Sequence, residues 1–170
     1  MNLRIPGPTP CPDEVLEAVG RPMINHRGPE FREVFLRVTE RLMQVFQTKG
    51  DVLTLTSSGT GAMEAAVTNI FSPGDKVLVI SIGYFGERFA DIAKAYGAQV
   101  QTLAFPWGAA ADPDLIREAL KADPQIKGVL VTHNETSTGV TNDLQAIAQV
   151  VKGEFDRLLV VDAISGLGSI

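Results

Sequence analysis

A chain of 170 residues with 45% hydrophobic and 21% charged side chains has the make-up of a globular domain large enough to bury a core. Its formal net charge of −5 argues against a nucleic-acid partner, which would need clustered Lys and Arg, and Cys11, the single cysteine, rules out an internal disulfide framework and fits a reducing, cytoplasmic compartment. The N-terminus MNLRIPGPTP lacks an apolar signal core, and no apolar run approaches the roughly 20 residues of a membrane span, so neither export nor membrane insertion is expected.

The first 12 residues carry Pro6, Gly7, Pro8, Pro10 and Pro12 and read as an irregular arm, followed by a short helix DEVLEAV that ends at Gly20. From Pro29 to Phe46, apolar residues Phe31, Val34, Phe35, Val38, Leu42, Val45 and Phe46 recur at three- and four-residue steps and predict the longest helix. Strand-like and helix-like segments then alternate: VLTL, AMEAAVTNIF, KVLVIS, FGERFADIAKAYG, VQTLAF, DPDLIREALKA, GVLVTH, NDLQAIAQVV and RLLVVD. That alternation predicts βαβ units, a mostly parallel sheet and a three-layer α/β/α fold. SPGDK supplies a turn, and Asp112-Pro113 supplies a cap and a first helical position. VLVIS, GVLVT and LLVV are continuously apolar and read as strands covered on both faces.

Open α/β sheets collect ligands beyond the carboxyl ends of their strands, which directs attention to residues 57–61, 81–85, 133–139 and 162–168. Ser58, Gly59 and Thr60 offer hydroxyls and a tight turn at a helix start, the chemistry of an anion cradle or of an ordinary capped turn. No Gly-Lys-Ser/Thr follows, so this is no P-loop, and Glu64 stands where a dinucleotide fingerprint needs its third glycine. Phe85 sits between glycines and reads as an aromatic in a flexible loop, suited to a platform, or more plainly as a packing residue at the head of the next helix. HNETSTG offers His133, Asn134, Thr136, Ser137 and Thr138, either as ring-substituent partners or as a hydroxyl-rich turn into a helix capped near Asn142. Asp162 closes LLVV, where a carboxylate short of water either caps a turn or pairs with a protonated ring nitrogen. Together these features describe pyridoxal 5′-phosphate; no metal site is expected.

SSGTGAMEAA, GYFGERFADIAKAYGA, THNETSTGV and VDAISGLG, in that order, resemble segments of class V aminotransferases, fold-type I enzymes of the alanine–glyoxylate and serine–pyruvate kind. PGPTP, HRGPEF and VFQT look like the same family. The resemblance implies Ser58, Gly59 and Thr60 at the phosphate, Phe85 stacked on the ring, Thr136 near the 3′-oxygen, Asp162 on the ring nitrogen as the catalytic carboxylate, and Ile164 packed against the ring. Phe85 stands where the family often has tryptophan, which leaves a smaller stacking surface. The family's Schiff-base lysine follows the strand carrying the aspartate and is not among Lys49, Lys76, Lys94, Lys121, Lys127 and Lys152, each expected on a turn or the solvent side of a helix.

The resemblance therefore implies an arm and short helix over 1–20, a partial PLP-binding large domain over 21–170, and a C-terminal small domain outside this chain. The implied activity is transamination between a small amino acid, alanine or serine, and a 2-oxo acid, glyoxylate or pyruvate, in a homodimer. Alternatives are a non-catalytic PLP-binding or interaction module, another class V chemistry such as cysteine desulfuration, and a Rossmann-like nucleotide-binding domain.

Overall fold

The computed structural model describes residue 3, residue 5 and residues 7–170; of the expected arm, residues 1, 2, 4 and 6 lie outside the described residues. The chain divides into two compact units, Met1–Leu55 and Thr56–Ile170. The first contains α1 (Asp13–Val19), stopped by Gly20, and α2 (Pro29–Val45), which starts with proline at its first position. The sequence places both helices. No residue of α2 is buried, and Phe35, Leu36, Val38 and Val45 on it are exposed.

The second unit runs α3 (Gly59–Ile70), β1 (Lys76–Ser81), α4 (Tyr84–Ala95), β2 (Gln99–Ala104), α5 (Pro113–Ala122), β3 (Ile126–Thr132), β4 (Asn134–Glu135), β5 (Val140–Thr141), α6 (Leu144–Ala148), a π-helical turn (Gln149–Glu154) and β6 (Leu158–Asp162). Strands β2-β1-β3-β6 form one sheet in that order, and every pairing in it is parallel. Because side chains alternate across a strand, β1 serves two cores. Val77 and Val79 pack with Met63, Val67, Phe89 and Ala93 of α3 and α4, while Leu78 and Ile80 pack with Ile116, Leu120, Ile147 and Val150 beneath α5, α6 and the π turn. Helices thus cover both faces, as the alternating pattern predicts.

Several expectations need correction. VLTL, expected as the first strand, is irregular, with Leu53 and Leu55 exposed, because an apolar segment becomes a strand only by finding a ladder partner and none of the described strands pairs with it. LLVV is covered less fully than its composition suggests: β6 lies at the sheet edge, so Leu158 is exposed and Leu159–Val161 are half-buried, whereas β1 and β3 are nearly sealed. The last helix, expected to be capped near Asn142, is capped by the next residue, Asp143. Asp143 accepts the Ala146 N–H at 2.9 Å, while the buried Asn142 amide donates to the Thr132 carbonyl and accepts from the Ala111 N–H, both at 2.9 Å. Lys76 and Lys127 lie in strands, at the amino ends of β1 and β3, rather than on turns or helices.

One close approach sets the angle at which α4 leaves the sheet. Gly86, in its first turn, rests on the end of β1: a Cβ there would lie 2.8 Å from Ser81 Cα and 3.1 Å from the Ile80 carbonyl oxygen. Backbone cannot yield as a side-chain tip can, so Gly86→Ala is expected to cost about 1–3 kcal/mol through overpacking, read as a lower urea midpoint at unchanged slope. An unchanged midpoint would mean that α4 shifts freely against β1.

Candidate functional site

The carboxyl ends of β1, β3 and β6 carry the polar residues at 81–85, 133–139 and 162–168 that the sequence singles out, while Ser58–Thr60 follow the irregular VLTL segment. Ser58 is the N-cap of α3, with extended backbone, and its Oγ accepts the Gly61 N–H at 3.4 Å. Helix geometry leaves the N–H groups of Gly59 and Thr60 without intrahelical acceptors, so two donors and the positive end of the helix dipole face outward.

Asp162 ends β6, is buried, and is held by its neighbours. Its Oδ1 accepts the Ile164 N–H at 3.1 Å and its Oδ2 accepts from the Thr132 hydroxyl at 3.4 Å. Among the described residues no Lys, Arg or His forms an ion pair with it. Burial pushes its carboxyl above the usual carboxylate range; the two hydrogen bonds pull the other way, and the nearby Glu135 charge adds to the upward push. Ile164 connects this carboxylate to the start of α3, since a Cβ on Gly59 would lie 2.5 Å from Ile164 Cδ1.

Phe85 is the second residue of α4, at the head of the helix as the plainer reading has it rather than in a flexible loop, and it is half-buried. The helix begins at Tyr84, one residue before the expected start, and its first turn is capped by a side chain distant in sequence. Glu135, fully buried in β4, accepts the N–H groups of Phe85 at 3.0 Å and Gly86 at 3.1 Å through Oε2. Its Oε1 accepts the Ser137 hydroxyl at 2.6 Å and the Ser137 N–H at 3.2 Å, and Ser137 Oγ accepts the Tyr84 N–H at 3.0 Å. Four donors satisfy the buried carboxylate, and the helix dipole adds to them. Gly83 makes room, because a Cβ there would meet Glu135 Cγ and Ser137 Oγ at 2.6 Å.

Within HNETSTG, Asn134–Glu135 form β4 and residues 136–139 the expected turn, which leads into β5 (Val140–Thr141), paired antiparallel with β4, before the helix begins. Thr136 begins its turn, half-buried, and among the described residues its hydroxyl makes no hydrogen bond within the fold. His133 is scaffold: its N–H donates to the Asp162 carbonyl and its own carbonyl accepts the Asn142 N–H, both at 2.8 Å.

Arg88 completes the arrangement. Its Nη1 donates to Thr60 Oγ1 at 2.9 Å and its Nη2 to the Tyr84 hydroxyl at 2.8 Å, with the guanidinium carbon 5.1 Å from the Tyr84 ring centre and 5.9 Å from that of Phe85. The structure therefore joins Ser58–Thr60 to Phe85 through Arg88, Gly59 to Asp162 through Ile164, and Phe85 to the Thr136 turn through Glu135. Sequence reasoning missed Glu135 and Arg88. The signal for Arg88 was its spacing, one helical turn after Tyr84 and Phe85; Glu135 carried none beyond being an acid in a polar run.

A family model described as aminotransferase class-V matches residues 3–170. Relatives include the soluble hydrogenase 42 kDa subunit of Anabaena cylindrica, 47% identical over 99% of this chain and 45% of its own length. L-aspartate–glyoxylate aminotransferase of Paracoccus denitrificans is 40% identical over 97% of this chain and 43% of its own. The solved alanine–glyoxylate aminotransferase of Nostoc sp. superposes with a TM-score of 0.91 at 35% identity, covering 98% of this chain and 44% of that one. The chain spans less than half the length of these relatives.

Two expected outcomes follow from the carboxylates. Glu135→Gln places an amide NH2 among N–H and O–H donors, and is expected to destabilise the chain by about 2–3 kcal/mol in urea unfolding, since buried donors lose their acceptor. For Asp162 the raised native pKa means that the folded state holds the proton more tightly than the unfolded one. Its contribution to stability is full below the ordinary aspartate value of about 3.9 and is lost as pH rises through the native value. Without added ligand, Asp162→Asn should therefore be more stable than the parent at neutral pH, with the advantage gone in acid; a parent more stable at pH 7 would contradict this.

Proposed function

The chain belongs to the class V aminotransferase family, and from that premise we propose that it forms the cofactor-holding part of a transaminase for small amino acids. Family membership implies pyridoxal 5′-phosphate as cofactor. The observation that carries the reading is the buried Asp162 carboxylate with no cationic partner, linked through Ile164 to the donor-rich start of α3. Burying such a charge unpaired is costly, and a protonated ring nitrogen is the partner that would offset it. The donor set fits the rest of the group: N–H groups and hydroxyls at 58–60 for a phosphate, and an aromatic face at 85.

In this proposal Ser58, Gly59 and Thr60 bind the phosphate through hydroxyls and backbone N–H groups. Phe85 lies against the ring, Thr136 supplies its unused hydroxyl to the 3′-oxygen, and Ile164 packs against the ring. Asp162 keeps the proton on the pyridine nitrogen. Pyridoxal 5′-phosphate, once bound, supplies the electron-accepting ring that acidifies the Cα–H of an amino acid. No lysine of this chain is assigned the role of carrying the cofactor and moving the Cα proton; Lys76 and Lys127 stand at the amino ends of their strands, the edge opposite Asp162. The whole protein would pass an amino group from an alanine- or serine-like donor to a glyoxylate- or pyruvate-like 2-oxo acid. Relatives named for glyoxylate transamination support that substrate class.

We also propose a cytoplasmic homodimer in which the proline-rich arm and the segment from His26 to Phe31 contact the second subunit. The exposed Val19, Met23 and Phe35 of the first unit support it.

Tested on this chain, the proposal expects reversible binding of pyridoxal 5′-phosphate about tenfold or more tighter than that of pyridoxal, since charge-assisted bonds to the phosphate are each worth more than 1 kcal/mol. Borohydride treatment followed by mass spectrometry should give no stoichiometric pyridoxyl adduct at any lysine. A single fully labelled lysine would assign the carrier role within these residues and overturn the residue assignments above.

A further inference from the structure

We propose that Arg88 is a positioning residue that makes the Thr60 hydroxyl a dedicated donor to a phosphate oxygen. The inference rests on the phosphate assignment of residues 58–60 made above. A hydroxyl has one proton to give and two lone pairs to receive with. Thr60 Oγ1 receives Arg88 Nη1 at 2.9 Å, so its proton is turned away from the guanidinium and is left to be given elsewhere. A hydroxyl that accepts from a cation is also polarised into a stronger donor. Thr60 is the second residue of α3, so this proton joins the free N–H groups of the first turn.

Arg88 is fixed in place rather than poised to swing toward an anion. Its other arm donates to the Tyr84 hydroxyl at 2.8 Å, and the guanidinium lies against the faces of Tyr84 and Phe85. A guanidinium tied at both arms acts through the groups it holds. The same side chain thereby sets the distance between the start of α3 and the start of α4. Lysine cannot substitute, because an ammonium is a single point of charge and cannot bridge Thr60 and Tyr84 in a planar fork.

The test is a double-mutant cycle read by calorimetry as the ratio of pyridoxal to pyridoxal 5′-phosphate dissociation constants, with thermal unfolding recorded for each variant. Arg88→Gln and Thr60→Val should each lower the ratio roughly tenfold, and the double variant should be no worse than Thr60→Val, because both remove one bond. Arg88→Lys should not restore the ratio. Multiplicative losses, or full rescue by lysine, would show Arg88 acting on the phosphate as a bare charge and would overturn the proposal. Equal weakening for both ligands would reduce Arg88 to packing and overturn it too. A parent chain that does not prefer the phosphorylated ligand would overturn the phosphate assignment itself, a result distinct from a parent that prefers it with uncoupled variants. Should Arg88→Gln fail to fold, Tyr84→Phe keeps the ring and removes only the second anchor. It is expected to lower the ratio about two- to threefold, and an unchanged ratio would count against the proposal.

Discussion

The carboxylate of Glu135 is the interaction on which the ligand edge of this fold depends. A fully buried anion is tolerable only when its oxygens are filled, and here four donors fill them: two from the first turn of α4 and two from Ser137. The geometry that follows is over-determined. Gly83 has no side chain because Glu135 and Ser137 occupy that space, and Gly86 has none because β1 does. With the first turn pinned, Phe85 and Arg88 leave the helix in fixed directions, and Arg88 reaches across to Thr60 at the start of α3. A hairpin late in the sequence thus fixes an aromatic 50 residues earlier.

Asp162 is the same kind of group in the opposite condition. Both are buried acids at the carboxyl edge of the sheet, and the charge of Glu135 is felt at Asp162. Glu135 faces a helix N-terminus and is fully bonded, whereas Asp162 has two hydrogen bonds, no cation and a carboxyl pushed toward its protonated form. The pairing separates scaffold from chemistry. One acid holds the helix that carries the aromatic, and the other lacks a cation, the place that a protonated ring nitrogen takes in the proposed function.

Much of this was legible in the sequence because parallel sheets write themselves in local patterns. The strands of KVLVIS and GVLVTH are buried on both faces and therefore continuously apolar, and Asp112-Pro113 starts α5 as its chemistry dictates. Asp162 and Ser58 were readable because each sits at a junction where the apolar run stops. What stayed hidden was non-local. VLTL has strand composition, but a strand needs a neighbour, and no pattern within four residues reveals whether one exists. LLVV reads as a central strand, yet the strand order places β6 at an edge. FGERFADIAKAYG places α4 to within a residue of its start, but Glu135 and Phe85 are joined only in space, so the side chain that caps the first turn could not be read from the helix's own residues. Asn142 and Asp143 are both competent caps, and it was the buried bonds of Asn142 to Thr132 and Ala111 that left the helix to its neighbour.

The central claim is that Asp162 is held for a cation carried by a ligand whose phosphate is gripped at α3. It is tested most directly by following the Asp162 carboxyl carbon by 13C NMR across a pH titration, with and without saturating pyridoxal 5′-phosphate. Alone, the group should titrate above the ordinary carboxylate range, and with the ligand bound it should move below that range, because the pyridinium favours the charged form. A titration that stays in place when the ligand is bound would contradict the account.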